Sequence, residues 1–84
     1  MKLNEHIVCA DGFSMSVQAN GGAYCEPKVF DAEKYEAVEV GYPNAYEGLL
    51  AYYVPAQVIV DVIAKHGGII TGELPNGIPY LKAI

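Results

Sequence analysis

Apolar and polar positions alternate most strictly between Phe13 and Ala19. Phe13, Met15, Val17 and Ala19 fall on one side, and Ser14, Ser16 and Gln18 on the other. A period of two is the pattern of a strand with one face on a core and one in water. A short apolar strand precedes it, and Asp11-Gly12 between the two is a two-residue hairpin signal. Residues 6–19 are therefore expected to form a β-hairpin whose apolar face needs a cover, with residues 1–5 as a loose polar lead-in.

The next elements are shorter or less patterned. Asn20-Gly21-Gly22 is a turn, and Ala23-Tyr24-Cys25 is expected to be a third short strand, ended by Pro27, which has no N–H to give to a ladder. Residues 31–34 suit a turn or a single helical turn. From Tyr35 to Tyr42 a strand is expected, with Glu36, Val38, Val40 and Tyr42 on one side and Tyr35, Ala37, Glu39 and Gly41 on the other. Residues 44–51 carry little pattern and are expected to be a loop with some helical character. Pro55 then opens a helix as its first residue, where the missing N–H costs nothing. Val58, Ile59, Val62 and Ile63 make its apolar stripe, Gln57, Asp61 and Lys65 face water, and Gly67-Gly68 stop it. Residues 69–74 return as a strand, and Ile78-Pro79-Tyr80-Leu81 close the edge. The fold class expected is α+β: a small antiparallel β-sheet with one main helix, about residues 55–66, packed on one face over Phe13, Met15 and Val17. The 84 residues make one domain, without an internal repeat or linker.

Composition narrows the function classes. Hydrophobic residues are 52% and charged residues 18%, which places the chain among globular domains and away from disorder. Ten Asp and Glu oppose five Lys and no Arg, giving a net charge of −5. A nucleic-acid binder normally shows a basic, Arg-bearing face, so direct nucleic-acid binding is not expected and a basic partner is. No apolar run approaches the roughly 18–20 residues that span a bilayer, and residues 1–6 hold no signal-peptide core. A cytoplasmic location follows as the expectation, with Cys9 and Cys25 reduced. A chain this short has a thin stability margin, and a homodimer would widen it.

Catalytic and metal-binding constellations are weak. His6, Cys9, Cys25 and His66 are nominally a zinc set, but His6 and Cys9 are three apart on a strand and point to opposite faces. His6, Cys9, Asp11, Ser14 and Ser16 make a hydrolase triad only on paper, since the one good helix start, Val54-Pro55, lies far from any Ser or Cys. Gly67-Gly68 follows a helix, whereas a phosphate loop precedes one. No enzyme, metal or cofactor is expected.

Seven tyrosines, at 24, 35, 42, 46, 52, 53 and 80, exceed what so small a core needs. They either cover sheet edges with the hydroxyl in water or serve an interface, where tyrosine is enriched. Interleaved with them are Glu26, Asp31, Glu33, Glu36, Glu39 and Glu47, opposed in that span only by Lys28 and Lys34. A solvated surface would look like this, and so would a docking face for a basic partner. The candidate partner-binding residues are Glu26, Asp31, Glu33, Glu36, Glu39, Tyr42, Tyr46 and Glu47.

The stretch Glu5-His6-Ile7-Val8-Cys9-Ala10-Asp11-Gly12-Phe13-Ser14-Met15-Ser16-Val17-Gln18-Ala19 resembles the opening of a family of small bacteriophage proteins. Val38-Glu39-Val40-Gly41-Tyr42-Pro43 and His66-Gly67-Gly68 resemble that family too, while residues 43–52 are short beside its usual loop. One branch is similar to anti-CRISPR proteins that act on type I systems, type I-C in particular. The resemblance implies no catalytic residues. It implies a phage-encoded inhibitor acting in the host bacterial cytoplasm. Such an inhibitor would bind protein subunits of a type I CRISPR surveillance complex and block target DNA by partial DNA mimicry. Carboxylates two residues apart on a strand sit roughly 6.6 Å apart, a row able to compete for phosphate-binding side chains. Two alternatives stay open: a phage accessory or structural protein that binds another host factor, and, in a different class, a small enzyme.

Overall fold

The computed structural model describes residues 3–45 and 48–84. In chain order its elements are β1 (Ile7–Cys9), β2 (Ser14–Gln18), β3 (Ala37–Gly41), β4 (Val54–Pro55), α1 (Ala56–Lys65) and β5 (Ile69–Thr71). The sheet order is β4-β3-β2-β1-β5, and every neighbouring pair is antiparallel. The first four strands form a meander, and the helix carries the chain from the β4 edge to the opposite edge. This is the expected α+β sheet with one helix.

The hairpin pairs Ile7 with Met15 and Val8 with Ser14. Its loop has three residues where the sequence predicts two. Gly12 N–H donates to the Cys9 carbonyl at 3.0 Å, and Cys9 N–H donates to the Phe13 carbonyl at 2.8 Å. Gly12 takes φ +95°, the left-handed residue that a three-residue loop places after its turn. Asp11 Oδ1 accepts from Phe13 N–H at 3.0 Å and braces the loop.

One apolar cluster joins the elements. Ile7, Cys9, Phe13, Met15, Val17, Val38, Val40, Val54 and Ile69 come from the sheet and its hairpin loop, and Ile59, Val62 and Ile63 from the helix. The Phe13, Met15 and Val17 face thus shares its core with the helix stripe as expected, although Val58 is only half-buried against it. Pro55 belongs to β4 and caps the helix from outside, at φ −56° and ψ 140°, instead of being its first turn. Ala56 N–H, left without a partner in the helix, donates to the Glu36 carbonyl at 2.9 Å. At the other end Gly68 N–H reaches the Ile63 carbonyl at 3.0 Å and Gly67 N–H the Ala64 carbonyl at 3.1 Å. That pair of bonds is the glycine stop the sequence predicts.

Several sequence expectations are corrected. Residues 23–25 form no strand: Tyr24 lends only its carbonyl to Tyr53 N–H, and a single bridge, Glu26 to Ala37, follows before Pro27, which has no donor. The strand after the helix ends at Thr71, not residue 74. Residues 78–81 do not form a strand; instead Ile69 N–H donates to the Leu81 carbonyl at 2.8 Å and Ala83 N–H to the Ile69 carbonyl at 2.9 Å. That parallel bridge covers the open side of β5. Of the lead-in expected to be loose, residues 1–2 lie outside the described residues and Asn4 is held in place. Asn4 N–H donates to Gln18 Oε1 at 2.8 Å, and Gln18 Nε2 donates to the Asn4 carbonyl and to Ser16 Oγ, both at 2.9 Å. Ser16 and Gln18, expected in water, are therefore buried and hydrogen-bonded.

Candidate functional site

Strand alternation sorts the acidic residues. Val38 and Val40 enter the core, so Glu39 stands on the opposite face of β3, where its Oε1 accepts Tyr24 N–H at 3.0 Å. Glu36 precedes β3, so strand alternation does not govern it; it is exposed, and its N–H donates to the Glu26 carbonyl at 2.8 Å. Glu26, Glu36 and Glu39 are thereby gathered where β3 meets the loop that follows β2. Asp31 and Glu33 are exposed on that loop, but Asp31 lines a separate groove of about 340 Å³ with Asn4, Asn20 and Phe30. Tyr42 lies beyond the far end of β3, 83% exposed, its ring stacked on His6 at 6.2 Å. Tyr46 and Glu47 lie outside the described residues.

The same corner holds an aromatic cluster that the list of candidate residues omits. Tyr53 N–H donates to the Tyr24 carbonyl at 3.1 Å and ties the stretch before β4 to the loop after β2. The Tyr24 ring lies 4.6 Å from that of Tyr52, tilted by 54°, and 6.1 Å from that of Tyr53, edge to face. All three rings are about half exposed. The Lys28 ammonium sits 4.7 Å from the centre of the Tyr24 ring. The sequence carried a signal for this: Tyr52-Tyr53 are adjacent, and an extended chain cannot turn two consecutive rings into one core.

Tyr53 of this cluster and Tyr42, outside it, are held against their backbone preference. Tyr42 has φ +51° and Tyr53 φ +53°, in the left-handed region that bulky side chains seldom adopt. Outliers of this kind persist where surrounding structure enforces them, and they cluster at functional sites. Lys28 and Lys34 offset part of the acidic charge. Lys34 pairs with Glu36 at 3.7 Å with both side chains about two-thirds exposed, a contact worth little in water.

A second polar constellation holds the hairpin to the helix. His66 Nδ1 lies 2.6 Å from Asp11 Oδ2, and the His66 ring stacks on Phe13 at 4.2 Å, tilted only 11°. Ala10 N–H adds a bond to the Gly68 carbonyl at 3.0 Å. Phe13 N–H, and after it His66, hold the Asp11 carboxyl below the usual carboxylate range. At Cys9 beside them, burial first, and the Asp11 charge second, push the thiol up, away from the reactive thiolate. The paper triad is not assembled, since His6 stacks on Tyr42, Ser16 bonds Gln18, and the histidine beside Asp11 is His66. Cys9 and Cys25 are free and buried, and Cys25 Sγ lies 3.2 Å from the Asn20 carbonyl. Among the described residues no three His, Cys, Asp or Glu side chains are grouped to hold a metal, and no helix is long and apolar enough to cross a membrane.

Comparison with protein-family models, with curated proteins and with solved structures finds no match.

Proposed function

We propose that this chain is a protein-binding inhibitor whose acidic, tyrosine-bearing corner docks on a basic groove of a type I CRISPR surveillance complex and keeps target DNA out. The observation that carries this reading is the cluster of Tyr24, Tyr52 and Tyr53, half exposed, with the Glu39 carboxylate on the Tyr24 N–H and the exposed Glu26 and Glu36 joined by a backbone bond just beyond it. Rigid aromatic rings give contact area at small entropic cost, and the carboxylates steer encounter with a positive surface. The positive φ of Tyr53 supports the same reading, because the fold gains no buried ring from that strain. The phage-family resemblance supplies the identity of the partner.

The experiment is a titration of the chain into a type I surveillance complex while target-DNA binding is measured. Wild type should abolish DNA binding near a one-to-one ratio. Replacing Glu26, Glu36 and Glu39 with Gln should leave the fold intact and restore DNA binding: Glu26 and Glu36 are exposed, where substitutions cost within about 0.5 kcal/mol each, and Glu39→Gln keeps a side-chain oxygen to accept the Tyr24 N–H. Undiminished DNA binding at saturating wild type would reject the reading.

A further inference from the structure

The tyrosine corner already holds a cation of its own, and the manner of holding defines what it selects. Lys28 Nζ sits 4.7 Å from the Tyr24 ring centre. Tyr52 stands 4.6 Å from the same ring, and the Glu39 carboxylate accepts the N–H of Tyr24 at 3.0 Å. Glu26 lies two residues further along, its carbonyl bonded to the N–H of Glu36. A ring face with a carboxylate held beside it is complementary to one side chain above others. A guanidinium is planar, so it can stack on a ring while its N–H donors project in the plane toward carboxylates. An ammonium is a hydrated point charge and gains less from the same ring.

We infer that the Tyr24 face is the seat for an arginine of the partner protein, and that Lys28 is an internal stand-in which that arginine displaces. The inference rests on the proposed inhibitor reading and specifies its chemistry: the occupant is an arginine-bearing protein segment. Displacement is easy because an exposed ammonium–ring contact is weak and a freed Lys28 returns to water. Lys28 also sets specificity, since a lysine offered from outside exchanges like for like and gains nothing, whereas an arginine gains stacking and in-plane hydrogen bonds. The chain itself has no arginine, so no internal guanidinium competes for the seat.

The test uses the full chain with two probes, acetylated and amidated tetra-arginine and tetra-lysine peptides, followed by NMR at the Tyr24 ring and the Lys28 side chain. Tetra-arginine should bind about fivefold tighter than tetra-lysine and should shift the Lys28 signals toward those of a solvated lysine. Lys28→Met should tighten tetra-arginine binding about threefold, beyond the effect of Lys34→Met, which removes equal charge from the same surface. Tyr24→Phe keeps the ring and should keep the preference for arginine. Tyr24→Leu keeps the backbone bonds of residue 24 and should lose it. Equal binding of the two peptides, a preference that survives Tyr24→Leu, or equal effects of Lys28→Met and Lys34→Met would each overturn the inference. The two readings fail separately. A chain that blocks DNA binding by the complex but prefers no arginine refutes only the arginine seat, and one that prefers arginine but blocks nothing refutes only the inhibitor.

Discussion

Glycine 72 marks where two backbones come closest. A side chain there would meet the Ile7 Cα at 2.6 Å and the His6 carbonyl group, with φ at +123°. Backbone cannot step aside as a side-chain tip can, so Gly72→Ala should cost about 2–3 kcal/mol in urea unfolding. Gly12→Ala is the control: its φ is +95° but nothing lies within 4 Å, so only the left-handed penalty of about 1–2 kcal/mol applies. Tyr42 gives a second comparison at this scale. Its ring is 83% exposed and its φ is +51°. Tyr42→Gly should therefore be more stable than Tyr42→Ala by about 1 kcal/mol, measured by the same unfolding curves. Equal stabilities would mean that the backbone at residue 42 relaxes freely.

At the scale of elements, the Asp11–His66 contact clasps the hairpin loop to the end of α1. The Asp11 carboxyl is held below its ordinary value, so its contribution to stability is complete above about pH 4 and is lost as pH falls through the lower, folded-state value. Wild type should thus exceed Asp11→Asn in urea midpoint at pH 6, and the two should converge in strong acid. A difference that persists unchanged at low pH would assign the effect to shape instead of charge. The elements differ in how far sequence reveals them. The hairpin, the strand through Val38 and Val40 and the helix through Ile59 and Ile63 are each written in local periodicity, and all three are present. What escapes is written in long-range partners. Alternation says which face Ser16 and Gln18 take, but not that Asn4 returns to cover them. Pro55 suits a first helical turn, yet β4 claims it by pairing with Ala37. The bridge beside β5 depends on a chain returning from residue 82, which no short window contains. The site divides likewise. Acid count and tyrosine count are visible in sequence, but only long-range bonds draw a subset into one corner and leave Asp31 apart: backbone to backbone between residues 24 and 53 and between residues 26 and 36, and Glu39 Oε1 to Tyr24 N–H.

For the whole molecule, a net charge of −5 on 84 residues predicts attraction to any basic surface; its distribution decides whether binding is specific. A diffuse charge would make every carboxylate equivalent. The proposed corner instead makes Glu26, Glu36 and Glu39 matter more than Glu5, Asp61 and Glu73, which lie on other elements or at the opposite edge. Exposed charges act over a screening length of about 8 Å near physiological ionic strength, so steering by this corner must weaken as salt rises. The most direct measurement is the association rate of the chain with a type I surveillance complex at two salt concentrations. It should be made for wild type, for the Glu26, Glu36 and Glu39 to Gln triple variant, and for a Glu5, Asp61 and Glu73 amide variant of equal charge. The account predicts that wild type slows with salt, that the first variant is slow at both salts, and that the second stays close to wild type. Equal rates for the two variants, or a wild-type rate indifferent to salt, would contradict it.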